Sequence, residues 1–216
     1  MHSGLADGRV PMHRAASQCH CGWGRPSLTG VCGAISFAGM AIWKQIALAG
    51  AVLVVGSYVV GMFLHKEIAT EISIDGSAAQ VWQHLVDFEK YPDWNPFIKK
   101  ISGEPAVDGV LNASIGSPGG DVMDFSPRVL VFDENQEFRW RGVLGIPGLF
   151  DGEHYFRIEP GDGDSVRFVH GEQFTGILAV LAWGAIEPST TQGFVAMNAA
   201  LKARVEASRP TAIVAQ

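Results

Sequence analysis

The sequence predicts an α+β domain: a curved antiparallel sheet with a long helix across its concave face, preceded by one transmembrane helix. Three observations predict it. A charge-free run, Ile46–Leu64, precedes every other periodic segment. Strand-like segments then follow one another between turn signals, with no alternation of strand and helix. Helical periodicity stands only at the two ends of that meander. Helices segregated in this way pack as a layer on one face of an antiparallel sheet.

The run reads IALAGAVLVVGSYVVGMFL, 19 residues. As a helix it is about 28 Å long, close to the roughly 30 Å hydrocarbon core of a bilayer. Trp43 and Lys44 precede it and His65 and Lys66 follow, an aromatic and cations where a span meets headgroups. It has no polar stripe to turn to water, which disfavours a buried core helix. It exceeds the length of a signal-peptide core and no small-x-small cleavage site follows, so it reads as an uncleaved anchor. Residues 1–41 read as a flexible tail with Met40 as an alternative start, 42–66 as the transmembrane helix, 67–210 as the domain and 211–216 as a second tail.

Charge sharpens this division. Residues 1–66 carry Arg9, Arg14, Arg25, Lys44 and Lys66 against Asp7, or +4, and the remainder carries 11 basic and 21 acidic residues, or −10. Cations before the span predict a single-pass protein with a cytoplasmic N-terminus and a periplasmic or otherwise extracytoplasmic domain. A −10 domain repels phosphate backbones, so nucleic acid is not an expected partner. Charged residues are 18% of the chain, below the roughly 25% usual in soluble domains, which argues against disorder or a coiled coil. Cys19, Cys21 and Cys32 all precede the domain. The domain therefore has no disulfide, thiolate nucleophile or Cys-ligated metal, and Cys19-His20-Cys21 matches no common zinc spacing. No metal site is expected. GxSxG, HExxH, Walker and dinucleotide motifs are missing, so no cofactor is expected either.

Each element has its own signal. Glu67–Asp75 alternates Ile68, Ile72 and Ile74 with polar residues, as a half-buried strand does. Ser77 is a helix cap, and Ala78–Phe88 carries Val81, Leu85, Val86 and Phe88 at helical spacing. Pro92 and Pro96 end that helix, with Asp93 and Asn95 as turn-capping residues between them. Strands follow at Phe97–Ser102, Val110–Ile115, Val122–Phe132 (an edge or bulged strand, because of Pro127), Gln136–Leu144, Glu153–Glu159 and Ser165–Phe174. The last helix starts at a Ser189 or Thr190 cap and aligns Phe194, Met197, Leu201 and Val205 on one stripe.

These blocks resemble the SRPBCC superfamily, which groups START-related, polyketide cyclase and birch-pollen-allergen-like helix-grip proteins. The resemblance rests on VWQHLVDFEKYPDWNPFI, FRWRG, PGLFDGEHYF, FVHGEQFTGIL and GFVAMNAALKARVE, in that order over residues 68–208. It implies a cavity between the sheet and the last helix that takes a hydrophobic small molecule or lipid. Strand parity identifies the side chains on one face: Phe168, His170, Glu172 and Phe174 in the last strand, His154, Phe156 and Ile158 in the one before, and Phe138 and Trp140 before that. Together with Trp94 at the mouth and the helix residues Phe194, Met197 and Leu201, the expected ligand-binding set is Trp94, Trp140, Phe156, Phe168, Phe174, Phe194, Met197 and Leu201. His154, His170 and Glu172 are the candidate catalytic group, since burial raises a carboxyl pKa toward neutrality. The same trio also suits a ligand-orienting or a purely structural network. Arg139 and Arg141 have the opposite parity, toward solvent. Gly145–Phe150 and Gly176–Ala185 are apolar for connections and suit a pocket entrance or a bilayer contact. Three functions fit: a membrane-anchored binding module, a cyclase/dehydrase-like enzyme with a His/Glu acid–base group, and a ligand-free interaction module.

Overall fold

The computed structural model describes residues 32–208, with side chains from Met40 onward. Cys19, His20, Cys21, the basic residues before Met40 and the 211–216 tail lie outside the described residues. The chain divides into two units between Leu48 and Ala49. Helix α1 (Cys32–Gly61) begins in the first; the second holds its remainder and every other element. Within α1, Met40–Gly61 is long and apolar enough to cross a membrane. Its apolar side chains are exposed, Trp43 at 72% and Leu53 at 74%. The helix stops three residues before the apolar run does. Phe63 N–H and Leu64 N–H donate to the Val60 and Gly61 carbonyls, a tightened last turn.

The rest is β1 (His65–Asp75), α2 (Ala78–Val86), α3 (Tyr91–Trp94), β2 (Ile98–Gly103), β3 (Leu111–Ile115), β4 (Met123–Phe125), β5 (Arg128–Asp133), β6 (Glu137–Val143), β7 (Asp151–Pro160), β8 (Ser165–Thr175), α4 (Ile177–Leu181) and α5 (Trp183–Ala207). The architecture is α+β, as the sequence predicts. One sheet has the order β1-β8-β7-β6-β5 and a smaller one β2-β3-β4, with every pairing antiparallel. Val122–Phe132 is two strands rather than one, and they belong to different sheets. Pro127 has no N–H to continue a ladder, so the chain changes partners there. The two sheets still touch at that point: Leu111 N–H donates to the Pro127 carbonyl and Val129 N–H to that of Gly109, each at 2.9 Å.

Ser77 caps α2 through a reciprocal capping box with Gln80. The Tyr91 hydroxyl donates to the Leu85 carbonyl at 2.7 Å, pinning the end of α2 to the double-proline turn. Asn95 fastens the other side of that turn, its Oδ1 accepting from the N–H groups of Phe97 and Ile98. The last helix begins at Trp183 rather than at a Ser189 or Thr190 cap, and it passes through Pro188. Tertiary packing extends it: Trp183 meets Phe174 edge-on at 6.0 Å, which offsets the bond a proline removes.

Phe194, Met197, Leu201 and Val205 of α5 are fully buried against the inner face of the large sheet, which contributes Phe138, Phe156 and Phe168. Gly193 allows the helix to approach. A Cβ there would lie 2.2 Å from the Phe97 ring. Gly193→Ala gains roughly 1 kcal/mol of helix propensity but overpacks a buried ring, at about 1–3 kcal/mol. The expected outcome is a net loss of stability in urea unfolding, with the α-helical content of the native state retained.

Candidate functional site

A cavity of about 480 Å³ opens between the large sheet, the β3–β4 connection and the start of α5. Trp140 and Gly142 line it from β6, Gly152 and His154 from β7, and Glu172 and Phe174 from β8. Phe97 and Ile115 close it on one side, and Ala182, Ala185 and Ile186 of the α5 region on another. A tie crosses its rim, where the Ser117 hydroxyl donates to the Ser189 carbonyl at 2.6 Å. A second hollow of about 400 Å³, at Ser77 and Asp164, has neither an imidazole nor an aromatic ring in its wall.

Register explains where the mouth lies. His65 pairs with Thr175 and Thr175 with Asp151, while Asp151 pairs with Val143. The end of the sheet beside the cavity is thus the end where α1 delivers the chain. Tyr58, near the end of α1, donates its hydroxyl to the Pro147 carbonyl in the β6–β7 loop at 2.6 Å. Leu144, Ile146 and Leu181 are exposed at the same end, at 55%, 62% and 75%.

At the inner wall, His154 and His170 face each other with their Nε2 atoms 2.9 Å apart. One nitrogen donates and the other accepts, so two protonated rings are excluded. His170 Nδ1 lies 2.9 Å from Asn198 Oδ1, and Asn198 Nδ2 donates to Thr70 Oγ1 at 2.9 Å. His154 Nδ1 lies 3.5 Å from Glu172 Oε2. Aromatic faces enclose both imidazoles: Trp140 stacks on His154 at 4.7 Å and Phe194 on His170 at 3.8 Å. Such faces favour an imidazolium by roughly 0.5–2 kcal/mol, less than the several kcal/mol that desolvating a charge costs. Burial therefore dominates. It lowers the His154 pKa to about 3 and holds His170 well below its ordinary value, His154 adding to the effect there. Burial likewise pushes the Glu172 carboxyl up to about 8. That side chain keeps 19% exposure, at the cavity wall.

The structure brings Trp140, Phe174, His154 and Glu172 together on the cavity wall. His170 sits behind His154, fully buried. Phe156, Phe168, Phe194, Met197 and Leu201 pack in the core beneath and do not line the cavity. Trp94 is half-buried against Tyr91 at 5.2 Å, away from the cavity, with no partner for its indole N–H. Arg139 and Arg141 lie on the other face, paired with Glu137 and Glu153 and with the buried Asp151. Among the described residues, no three His, Cys, Asp or Glu side chains are placed to hold a metal ion.

Three positions of the candidate site carry no clear signal in the sequence. Asn198 and Thr70 complete the polar chain. The one signal was a polar Asn beside Met197, between Phe194 and Leu201 on an apolar stripe. Gly152 makes room for the carboxyl: a Cβ there would stand 2.3 Å from Glu172 Oε1.

The three shifted groups give stability a maximum. Below pH 6.5 the unfolded imidazoles bind protons that the folded ones refuse, so stability falls as pH drops. Between 4.5 and about 8 the folded Glu172 holds a proton that the unfolded one has lost, so its contribution falls as pH rises. Two imidazoles outweigh one carboxyl up to 6.5, and above it only the carboxyl acts. The melting temperature is expected to peak near pH 6.5 and decline toward about 8. Glu172→Gln is expected to remove the decline on the alkaline side and keep the acid one, as read by calorimetry across pH 4–9.

Comparisons with known proteins agree with this fold. A family model described as polyketide cyclase / dehydrase and lipid transport matches residues 65–206. An aromatase/cyclase, ZhuI from Streptomyces sp. R1128, superposes with a TM-score of 0.56 at 17% identity, over 69% of this chain and 99% of its own. Norcoclaurine synthase from Thalictrum flavum gives 0.52 at 17%, over 67% and 96%. A protein from Thermus thermophilus gives 0.54 at 16%, over 67% and 100%. Among curated protein sequences none matches significantly.

Proposed function

Because the chain belongs to the polyketide cyclase / dehydrase and lipid transport family, we propose that it is a membrane-anchored binding module that takes a hydrophobic small molecule or lipid into the cavity at Trp140, Phe174 and Glu172. The cavity carries the reading. At about 480 Å³ it exceeds the roughly 300 Å³ at which ligand pockets begin, and its wall is mostly apolar with a few convergent polar groups.

Anchoring has two supports. Met40–Gly61 exposes an apolar surface that water solvates poorly. The cavity mouth, rimmed by exposed Leu144, lies at the end of the sheet that adjoins this helix. Cations before the span orient the N-terminus to the cytoplasm and the domain outward. A reporter active only outside the cytoplasm, fused after Gln216, is expected to be active; a signal only from a cytoplasmic reporter reverses this topology.

A second reading, a cyclase/dehydrase-like enzyme, draws on Glu172, His154 and His170. A carboxyl titrating near neutrality beside an imidazole suits proton transfer to or from a carbonyl compound.

Native mass spectrometry of the protein released gently from membranes tests the binding reading. An apolar molecule is expected to travel with the native chain. Ala185→Trp, which fills the mouth, is expected to cut its occupancy about tenfold. If that molecule is turned over by the wild type and only bound by Glu172→Gln, the enzymatic reading takes its place.

A further inference from the structure

The polar chain behind the cavity has a direction, and its root can be located. The Thr70 hydroxyl lies 3.3 Å from the His170 carbonyl oxygen, which can only accept. Thr70 Oγ1 therefore spends its proton there and is left as an acceptor. Asn198 must turn its amide N–H toward Thr70 and its Oδ1 toward His170. His170 Nδ1 must then donate, and a neutral ring that donates from Nδ1 accepts at Nε2. His154 must donate to it from Nε2, across 2.9 Å. That leaves His154 Nδ1 as an acceptor facing Glu172 Oε2 at 3.5 Å. A carboxylate facing a lone pair is repelled, whereas a carboxyl group has a proton to give.

We infer that Thr70 and Asn198 are positioning residues that fix every hydrogen bond in this chain, so that Glu172 meets the cavity as a proton donor and the favoured guest is an uncharged apolar molecule bearing a carbonyl-type acceptor. Neither residue lines the cavity. They act through the two imidazoles, and the inference rests on the reading of the cavity as a ligand site. The contact of Glu172 to His154 is long, so the carboxyl proton is free to turn to a stronger acceptor in the cavity.

The surroundings of Glu172 favour the same state. On β7 it pairs with His154 and its carboxyl lies against Gly152, and its partner on β1 is Ile68. Across the cavity α5 offers the uncharged Ser189 and Thr190, and the β3–β4 side offers Asp121 and Asp124, whose sign also opposes ionisation. No Lys or Arg lines the cavity. The raised pKa of Glu172 agrees with this arrangement.

Two measurements on the full chain in detergent micelles test the inference. Long-range 1H–15N correlation spectra read imidazole tautomers directly. His170 is expected to carry its proton on Nδ1 and His154 on Nε2; the opposite pair of tautomers overturns the inference. Thr70→Val removes the root with little change of shape, and it is expected to lower the titration midpoint of the Glu172 carboxyl carbon by about one pH unit or more. Thr70→Ser restores it. An unmoved midpoint in Thr70→Val sinks the positioning role.

Three naphthalene probes of similar size then separate the inference from the reading beneath it. At pH 6.5, 2-acetylnaphthalene is expected to bind about fivefold tighter than 2-ethylnaphthalene, one hydrogen bond's worth. Cationic 2-(aminomethyl)naphthalene is expected to bind weakest. The advantage of the ketone fades as pH rises through the Glu172 titration, and Glu172→Gln, which carries a donor at every pH, removes that pH step. Preferential binding of the amine overturns the inference, as does equal binding of ketone and hydrocarbon, and both leave the ligand cavity intact. Failure of all three probes to bind overturns the cavity reading itself.

Discussion

Two imidazoles held nose to nose inside an aromatic shell form the constraint on which the inner wall depends. At 2.9 Å they share a single proton between facing nitrogens, and with both rings buried neither tolerates a charge. Each neighbour answers to that requirement. Trp140 and Phe194 close the ring faces, Asn198 satisfies the far nitrogen of His170, and Gly193 lets Phe97 press in from the turn before β2. An apolar pair in the same places would pack as well, but it would leave Asn198 and Glu172 without the partners they now have. The cost of buried polarity is met only because the chain is complete from Thr70 to Glu172.

Much of this was legible in the sequence, and the reason is period two. In β8, Phe168, His170, Glu172 and Phe174 fall on one face whatever the partners are, and the same holds for His154 and Phe156 in β7. Antiparallel register then sets His154 beside Glu172 and Phe156 beside His170. Helical period three to four did the same for Phe194, Met197 and Leu201. Parity says which way a side chain points and not how deep it lies. That is why Phe156 and Phe168 share the face of Glu172 and yet belong to the packed core rather than the cavity wall.

The rest depends on contacts that no local pattern encodes. Asn198 and Thr70 are 128 residues apart and meet only because α5 crosses β1. The sequence places the start of α5 too late because Ser189, Thr190 and Pro188 together mimic a helix beginning, while the packing of Trp183 on Phe174 that carries the helix further is tertiary. Val122–Phe132 read as one strand because both halves have strand character; that Pro127 hands the chain from one sheet to another is a property of the sheets. Outside the cavity, the glycine at 171 belongs to the same class. It leaves a gap that the Tyr155 ring fills, a Cβ there falling 2.3 Å from that ring, while Arg139 and Arg157 lie over Tyr155 at 4.9 and 4.8 Å.

The tie between Ser117 and Ser189 has a kinetic consequence. It is a pair of hydrogen bonds at an exposed rim, one from the Ser117 hydroxyl to the Ser189 carbonyl and one between the two hydroxyls at 3.0 Å, each worth about 0.5–1.5 kcal/mol net. Breaking both costs about 1–3 kcal/mol, so the open rim is a minor population that recurs on the fast timescale of loop motion. The rim is therefore no gate. The residence time of a guest is governed instead by how much of its own apolar surface must return to water, so dissociation slows with each methylene it buries, by about 0.8 kcal/mol apiece.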